Sequence, residues 1–128
     1  MTAAPLRLGI AGLGTVGAGV VKIVQSRGKL LSARCGRDLQ ITAICARDRH
    51  RDRGVDLSGY AWEDDPVALA RRDDVDVLVE LMGGADGPAK AATEAAITAG
   101  KDVVTANKAM LAHHGQTLAE AAEAQGCV

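Results

Sequence analysis

Aromatic side chains are nearly missing from this sequence of 128 residues: Tyr60 and Trp62 are the only two, and there is no phenylalanine. The core must therefore be built from Val, Ile, Leu and the many Ala residues, and small side chains suit close packing of helices on a sheet. No stretch interleaves basic and aromatic residues as a nucleic-acid-binding surface would. The length is sufficient for one domain with its own core.

An excess of charge, paired cysteines and long apolar runs are also lacking. Fifteen Lys and Arg against sixteen Asp and Glu give a net charge of −1, so no polyanionic partner is indicated. Cys35, Cys45 and Cys127 have neither metal-ligand spacing nor an even count, and a reducing cytoplasm is the simplest setting. We expect Cys45 to be buried in a strand and inert, and Cys35 to lie in a polar loop and to be reactive. No apolar run is long enough to span a membrane, and residues 1–5 are too few for a signal peptide.

The sequence instead contains apolar strand-like segments that alternate with segments of helical periodicity. Strands are predicted at 6–11, 39–46, 75–82 and 102–105, and helices at 15–26, 66–71, 88–99 and 116–125. Residues 27–38 are predicted to form a solvated connection, although Leu30 and Leu31 suggest that a helical turn continues there, and residues 127–128 are predicted to open a further strand. Alternation of this kind implies right-handed crossovers and a parallel sheet. We predict an α/β, Rossmann-type doubly wound sheet of about four strands plus the start of a fifth, with residues 1–128 forming the N-terminal part of a longer protein.

A glycine-rich turn lies between the first predicted strand and the first predicted helix. It has the GxGxxG spacing, with Gly12 for the tight turn, Gly14 for close approach of a pyrophosphate, and Gly17 for close packing of the helix on the strand. Backbone N–H groups and the helix dipole would face the phosphate. The residues of this predicted dinucleotide site are Gly12, Leu13, Gly14, Thr15, Val16 and Gly17. The alternative is a strand–helix turn without a ligand.

Basic residues follow the second predicted strand, at the sheet edge where ligands of such folds bind. An acid at this position would suit the ribose 2′-hydroxyl of NAD, whereas an arginine suits the 2′-phosphate of NADP. Arg47 and Arg49 flank Asp48 here, and they favour NADP over NAD. The alternative is that both arginines are merely solvated.

Polar residues and glycines follow the third and fourth predicted strands. Met82, Gly83 and Gly84 predict a loop that passes close to a ribose or nicotinamide, or else an ordinary flexible turn. Glu80 lies inside an apolar strand, and since an unpaired buried carboxylate is costly, it must have a partner or reach a cleft. Its role is structural or catalytic.

A hydroxyl, an amide and an ammonium group converge after the fourth predicted strand, at Thr105, Asn107 and Lys108. Together they could hold a nicotinamide ribose and a polar substrate, with Lys108 protonating a developing alkoxide. The alternative is that Asn107 caps the next helix and Lys108 is exposed. His113 and His114 are interpreted as a surface turn, without a metal site.

Three segments resemble the homoserine dehydrogenase family. They are the glycine turn at 12–17, Val-Glu-Leu-Met-Gly-Gly at 79–84 and, most specifically, residues 99–112, which contain Thr-Ala-Asn-Lys and precede His-Gly. The resemblance covers essentially the whole chain and corresponds to the nucleotide-binding domain of that family.

The resemblance implies an enzyme that interconverts L-homoserine and L-aspartate 4-semialdehyde with NAD(P), on the route to threonine, methionine and isoleucine. It implies pyrophosphate binding by the glycine turn, 2′-phosphate binding by Arg47 and proton transfer by Lys108. Most substrate-binding residues, a second catalytic lysine and much of the contact of a homodimer or larger homo-oligomer would lie in a later domain. The 128 residues alone are therefore not expected to turn over substrate.

Two other functions remain open. A nucleotide-sensing Rossmann domain that switches a partner protein needs the glycine turn but has no use for Thr105, Asn107 and Lys108. Another dehydrogenase, such as an aspartate dehydrogenase or a dihydrodipicolinate reductase, is disfavoured by the Thr-Ala-Asn-Lys segment.

Overall fold

A computed structural model describes residues 4–49 and 51–128. Its elements are β1 (Leu6–Ala11), α1 (Thr15–Cys35), β2 (Leu39–Cys45), β3 (Ala61–Glu63), α2 (Pro66–Ala70), β4 (Val77–Glu80), α3 (Pro88–Thr98), β5 (Asp102–Thr105) and α4 (Lys108–Gln125). The strands form one parallel sheet in the order β3-β2-β1-β4-β5. This confirms the predicted doubly wound α/β fold. Strands β2 and β3 lie on one side of β1, and β4 and β5 lie on the other side. The carboxyl ends of β1 and β4 therefore form the topological switch point, where such folds bind ligands.

Apolar side chains cover both faces of the sheet. On one face, Val21 of α1 packs into a buried cluster with Ile10 and Ile44 of the central strands. On the other face, α2 and α3 pack through Leu69 and small residues such as Ala92. The small side chains allow α3 to lie close to the sheet, as the alanine-rich composition predicted.

Two strands, β1 and β5, have the predicted bounds, while β2 and β4 are shorter than predicted. The edge strand β3 was not predicted, so the described chain has five strands before residue 127 rather than four. It contains three residues and pairs only with β2, and so short a segment carries no periodicity that could reveal it. Residues 127–128 are not a strand in the structure, although the Val128 carbonyl accepts a hydrogen bond from the Val103 N–H over 2.8 Å.

Residues 27–38 are largely exposed, as predicted, but the prediction of a connection rather than a helix was wrong for residues 27–35. Helix α1 continues through a kink at Arg27 (φ −124°, ψ 21°) and ends at Gly36, whose N–H donates to the Ser32 carbonyl. A basic, polar composition is equally compatible with the exposed side of a helix, and it was mistaken for a loop. Cys35 is exposed as expected, but it lies in the last turn of α1. Cys45 is buried in β2, and burial raises the pKa of its thiol to about 11.

The interpretation of His113 and His114 as a surface turn was also wrong. Helix α4 begins at Lys108 rather than at residue 116, so both histidines lie within it. Gly115 suggested a break, yet it adopts helical backbone geometry. Asn107 supplies the start signal, because its side-chain oxygen accepts a hydrogen bond from the Met110 N–H over 3.0 Å.

Candidate functional site at the carboxyl edge of the sheet

Gly12 forms the sharp turn that directly follows β1. Its φ of +103° is one that L side chains rarely adopt. A Cβ atom there would also lie 2.9 Å from the Leu81 carbonyl carbon and oxygen. The Gly12 N–H donates to the Cys45 carbonyl over 2.9 Å. The turn is therefore fixed between the ends of β2 and β4, as the predicted role of Gly12 requires.

Gly17 allows α1 to begin directly against this turn. A Cβ atom at Gly17 would lie 1.8 Å from the Gly12 carbonyl oxygen, far inside van der Waals contact. The predicted packing role of Gly17 is confirmed, since no other residue fits without moving the helix away from the strand.

Gly14 differs from both neighbouring glycines because the space beside it is empty. A Cβ atom there would meet nothing within 4 Å in the described part of the chain. Gly14 is the N-cap of the 21-residue helix α1 and provides no side-chain cap, whereas Asp65 and Asn107 cap α2 and α4. Thr15 and Val16 beside it are exposed. This open, positively polarised helix start could accept the pyrophosphate of a dinucleotide, and a side chain at position 14 would protrude into that space.

An arginine-rich loop follows β2. Arg47 is exposed two residues beyond the end of the strand. Arg53, which sequence reasoning missed, donates from Nε to the Leu13 carbonyl of the glycine turn over 3.2 Å. The guanidinium carbons of Arg49 and Arg53 lie 5.8 and 5.9 Å from the Trp62 ring centroid. No local pattern could have revealed Arg53, since its contact joins residues 40 positions apart.

Glu80, at the end of β4, is completely buried and has three hydrogen-bond donors around its carboxylate. The Met82 and Gly83 N–H groups donate to Oε2 over 2.6 and 3.3 Å. The Thr105 hydroxyl donates to Oε1 over 2.7 Å. The expectation that Glu80 must have partners is confirmed, and those partners are the loop after β4 and the last residue of β5, which leads into the loop before α4.

Asn107 provides a second link between the same two loops. Its Nδ2 donates to the Gly84 carbonyl over 2.6 Å, while its backbone N–H donates to the Thr105 hydroxyl over 3.0 Å. The capping alternative is therefore confirmed for Asn107, which is buried, and Lys108 is exposed as the first residue of α4. The cap holds Lys108 at the carboxyl edge of the sheet, beside Thr105.

His114 pairs with the loop that precedes α3. Its Nε2 lies 2.8 Å from Asp86 Oδ1, so α4 is tied to this loop at a further point. Among the residues that the structure describes, no group of three or more His, Cys, Asp or Glu side chains is arranged to hold a metal ion. In the same part of the chain, no helix combines the length and apolar character needed to cross a membrane.

The fold brings all of the predicted site residues to one edge of the sheet but spreads them along it. Arg47 follows β2, the glycine turn follows β1, Met82 to Gly84 follow β4, and Lys108 follows β5. Three strand spacings, about 14 Å, separate the ends of β2 and β5. Arg47 and Lys108 therefore lie toward opposite ends of this edge, and an extended dinucleotide could lie along it.

Known proteins are similar to this chain in sequence and in fold. The model of the homoserine dehydrogenase NAD-binding domain family matches residues 12–128. A homoserine dehydrogenase of Neisseria gonorrhoeae is 41% identical over 124 residues, which are 97% of this chain and 28% of that protein. The crystal structure of S. aureus homoserine dehydrogenase superimposes with a TM-score of 0.87 at 34% identity, over 98% of this chain and 31% of that one.

A more distant structure shares the fold alone. It is a hyperthermophilic archaeal homoserine dehydrogenase mutant in complex with NADPH, with a TM-score of 0.72 and 21% identity over 95% of this chain and 42% of that one. This chain spans little more than a quarter of the length of the Neisseria gonorrhoeae relative. The match over residues 12–128 nevertheless covers nearly the whole sequence, and the chain belongs to the homoserine dehydrogenase NAD-binding domain family.

Proposed function

We propose that this chain binds NAD(P) and forms the cofactor-binding part of an enzyme that interconverts L-homoserine and L-aspartate 4-semialdehyde. One observation carries the proposal: an open glycine turn and the polar loops after β4 and β5 lie on one sheet edge, in a chain of this family. The substrate and the activity are proposed for the whole protein, because this chain covers less than a third of the Neisseria gonorrhoeae and S. aureus relatives.

The glycine turn is proposed to hold the pyrophosphate. The empty space beside Gly14 and the absence of a side-chain cap on α1 support this role. Backbone N–H groups of the first turn, from Thr15 to Gly17, would donate to phosphate oxygens, and the helix dipole would favour their negative charge. Leu13 contributes the backbone that completes the turn.

Arg47 is proposed to bind a 2′-phosphate, which makes NADP the preferred cofactor. Arg47 is exposed two residues beyond β2. Its planar guanidinium can donate two parallel hydrogen bonds to one phosphate. The NADPH complex of the archaeal neighbour is consistent with this choice. NAD remains the alternative, since Asp48 follows directly.

Lys108 is proposed to be the catalytic residue of this chain. When bound, the cofactor supplies hydride transfer, and the protein supplies orientation and charge. In the direction of aldehyde reduction, Lys108 Nζ would donate a proton to the substrate oxygen, and in the reverse direction it would accept the hydroxyl proton. Met82, Gly83, Gly84, Thr105 and Asn107 would line the nicotinamide half of the edge.

The remaining parts of the proposal concern the whole protein. It would act in the cytoplasm on the route to threonine, methionine and isoleucine, as a homodimer or larger homo-oligomer. Its substrate would be a small amino acid or its semialdehyde.

Initial rates of the full-length protein with homoserine and either NADP or NAD test the proposal. We expect homoserine-dependent reduction of the cofactor, faster with NADP. Binding of NADPH without any turnover of homoserine would instead favour a nucleotide-sensing domain. Turnover of a different amino acid or carbonyl compound would favour another dehydrogenase.

A further inference from the structure

The carboxylate of Glu80 is buried without a cationic partner. None of the ion pairs in the described part of the chain includes it, and its side chain has no exposed surface. Removing a carboxylate from water is costly unless hydrogen bonds replace the lost hydration. Two N–H groups and one hydroxyl replace it here, with the shortest N–O distance at 2.6 Å.

The two oxygens of this carboxylate face different segments: the loop after β4, and the last residue of β5, which leads into the loop before α4. Oε2 accepts from the turn after β4, at Met82 and Gly83, while Oε1 accepts from Thr105 at the end of β5. A strand end as such needs no carboxylate, because an apolar side chain would fill the same volume without a desolvation cost. A rigid planar group that accepts on both sides fixes the separation of the two loops.

A continuous chain of hydrogen bonds leads from this carboxylate to the start of α4. The Thr105 hydroxyl donates to Glu80 and accepts from the Asn107 N–H, and the Asn107 side chain caps the helix whose first residue is Lys108. These bonds connect Glu80 to the start of α4 through two intervening residues, Thr105 and Asn107. The Nδ2 bond from Asn107 to the Gly84 carbonyl closes the ring of contacts.

We infer that Glu80 is a positioning residue, whose carboxylate sets the Met82–Gly83 turn and Lys108 at a fixed separation around the nicotinamide half of the cofactor. This inference rests on the proposed function. It assigns the adenosine half of the site to the glycine turn and Arg47, to which none of the hydrogen bonds of the Glu80 carboxylate in the described part of the chain leads.

Binding measured with two nucleotides tests this division. NADPH has both halves, whereas 2′-phospho-ADP-ribose lacks the nicotinamide. In Glu80→Ala, three donors lose their acceptor, and we expect NADPH affinity to decrease about tenfold. Affinity for 2′-phospho-ADP-ribose should change by less than about twofold. An equal loss for both nucleotides, or no loss for either, overturns the inference.

Glu80→Gln is the conservative variant. Its amide oxygen can accept from the Met82 and Gly83 N–H groups while its amide nitrogen donates to the Thr105 hydroxyl oxygen. We expect it to recover most of the NADPH affinity and, in the full-length protein, most of the kcat lost in Glu80→Ala. A merely structural role would lower the unfolding temperature without changing the ratio of the two nucleotide affinities in folded protein.

Thr105→Val keeps the inference testable if Glu80→Ala does not fold. It removes only the hydroxyl between Glu80 and Asn107, and we expect the same selective loss of NADPH affinity. Thr42→Val is the matched control, because the Thr42 hydroxyl donates to the Asp74 carbonyl before β4 begins, away from both loops. Equal effects of the two variants contradict the inference. If the unaltered chain binds neither nucleotide, the proposed function itself is wrong. If the unaltered chain binds NADPH and the variants bind it equally well, only the inference on Glu80 is wrong.

Discussion

The glycine turn and the loops after β4 and β5 lie on one sheet edge, but different features of the sequence determine their shapes. Missing side chains shape the glycine turn: Gly12 and Gly17 leave no room for a Cβ atom, and Gly14 leaves space open. Side chains that bond to one another, Glu80, Thr105 and Asn107, shape the loops. The first region is therefore sensitive to added volume and the second to lost polar partners.

Adding volume at Gly17 is the most disruptive change we predict. In Gly17→Ala the new methyl group would lie 1.8 Å from the Gly12 carbonyl oxygen, so α1 must move away from the turn. We expect the free energy of unfolding, measured by urea denaturation, to decrease by about 3 kcal/mol or more. Gly19→Ala is the control, since its methyl group meets nothing within 4 Å. That variant should gain up to ~1 kcal/mol from helix propensity, and a similar loss in both variants would refute the packing argument.

Removing the ammonium group of Lys108 should affect chemistry far more than binding. We expect Lys108→Ala to lower kcat for homoserine in the full-length protein about 100-fold, a usual contribution of a general acid or base. NADPH affinity should change less than about threefold. A cation in the first turn of a helix opposes the dipole, so the variant should not destabilise α4. Lys29→Ala, which removes an exposed lysine from α1, is the control, and unchanged turnover in Lys108→Ala would leave Lys108 as a surface residue.

Filling the space beside Gly14 should abolish the phosphate cradle while leaving the fold intact. Gly14→Val adds a branched side chain where no described atom lies within 4 Å, so stability should change little. We expect NADPH affinity to decrease by about 10- to 100-fold, because several charge-assisted hydrogen bonds to phosphate would be lost. Gly19→Val is the control, because Gly19 has the same open surroundings but is the fifth residue of α1, away from the helix start. Its NADPH affinity should match that of the unaltered chain. Unchanged affinity in Gly14→Val would refute the pyrophosphate assignment.

The contrast between the two regions also explains what the sequence could predict. The turn from Gly12 to Gly17 is local, so spacing alone predicts its backbone, and the structure agrees. The bond between Glu80 and Thr105 joins residues 25 positions apart. Sequence reasoning required a partner for Glu80 on energetic grounds, but it could not name the partner. Only the register that pairs Glu80 with Thr105 across β4 and β5 identifies it.

Elements without a strong local signal were missed for related reasons. Strand β3 exists because β2 offers an edge to Ala61, Trp62 and Glu63, which is a tertiary effect. The second half of α1 and the first half of α4 contain glycines, at Gly28 and Gly115, that are ordinarily helix-breaking. Both segments are helical nevertheless: α1 continues through a kink at Arg27, next to Gly28, and the Asn107 cap starts α4 ahead of Gly115. The contact of Arg53 with the Leu13 carbonyl likewise depends on how a long loop folds back onto the glycine turn.

Arg47 offers the finest test of the comparison, because it should change selectivity rather than binding as such. It lies at the β2 end of the edge, about 14 Å from the β5 end, so its effect should be confined to the adenosine half. A bidentate contact with a 2′-phosphate is worth roughly 1.5–3 kcal/mol. We therefore expect Arg47→Ala to weaken NADPH at least tenfold while NADH affinity changes less than about twofold.

Arg34→Ala controls for the change in net charge, because Arg34 is exposed in the last turn of α1, at the other end of that helix from the cradle. Both nucleotides should bind this variant as they bind the unaltered chain at physiological salt, where distant surface charges are screened. Equal losses of NADPH and NADH in Arg47→Ala would mean that Arg47 is a solvated side chain and that the 2′-phosphate is read elsewhere. The two halves of the edge act independently if Arg47→Ala selectively loses NADPH affinity and if Glu80→Ala weakens NADPH by the same factor in that variant as in the unaltered chain.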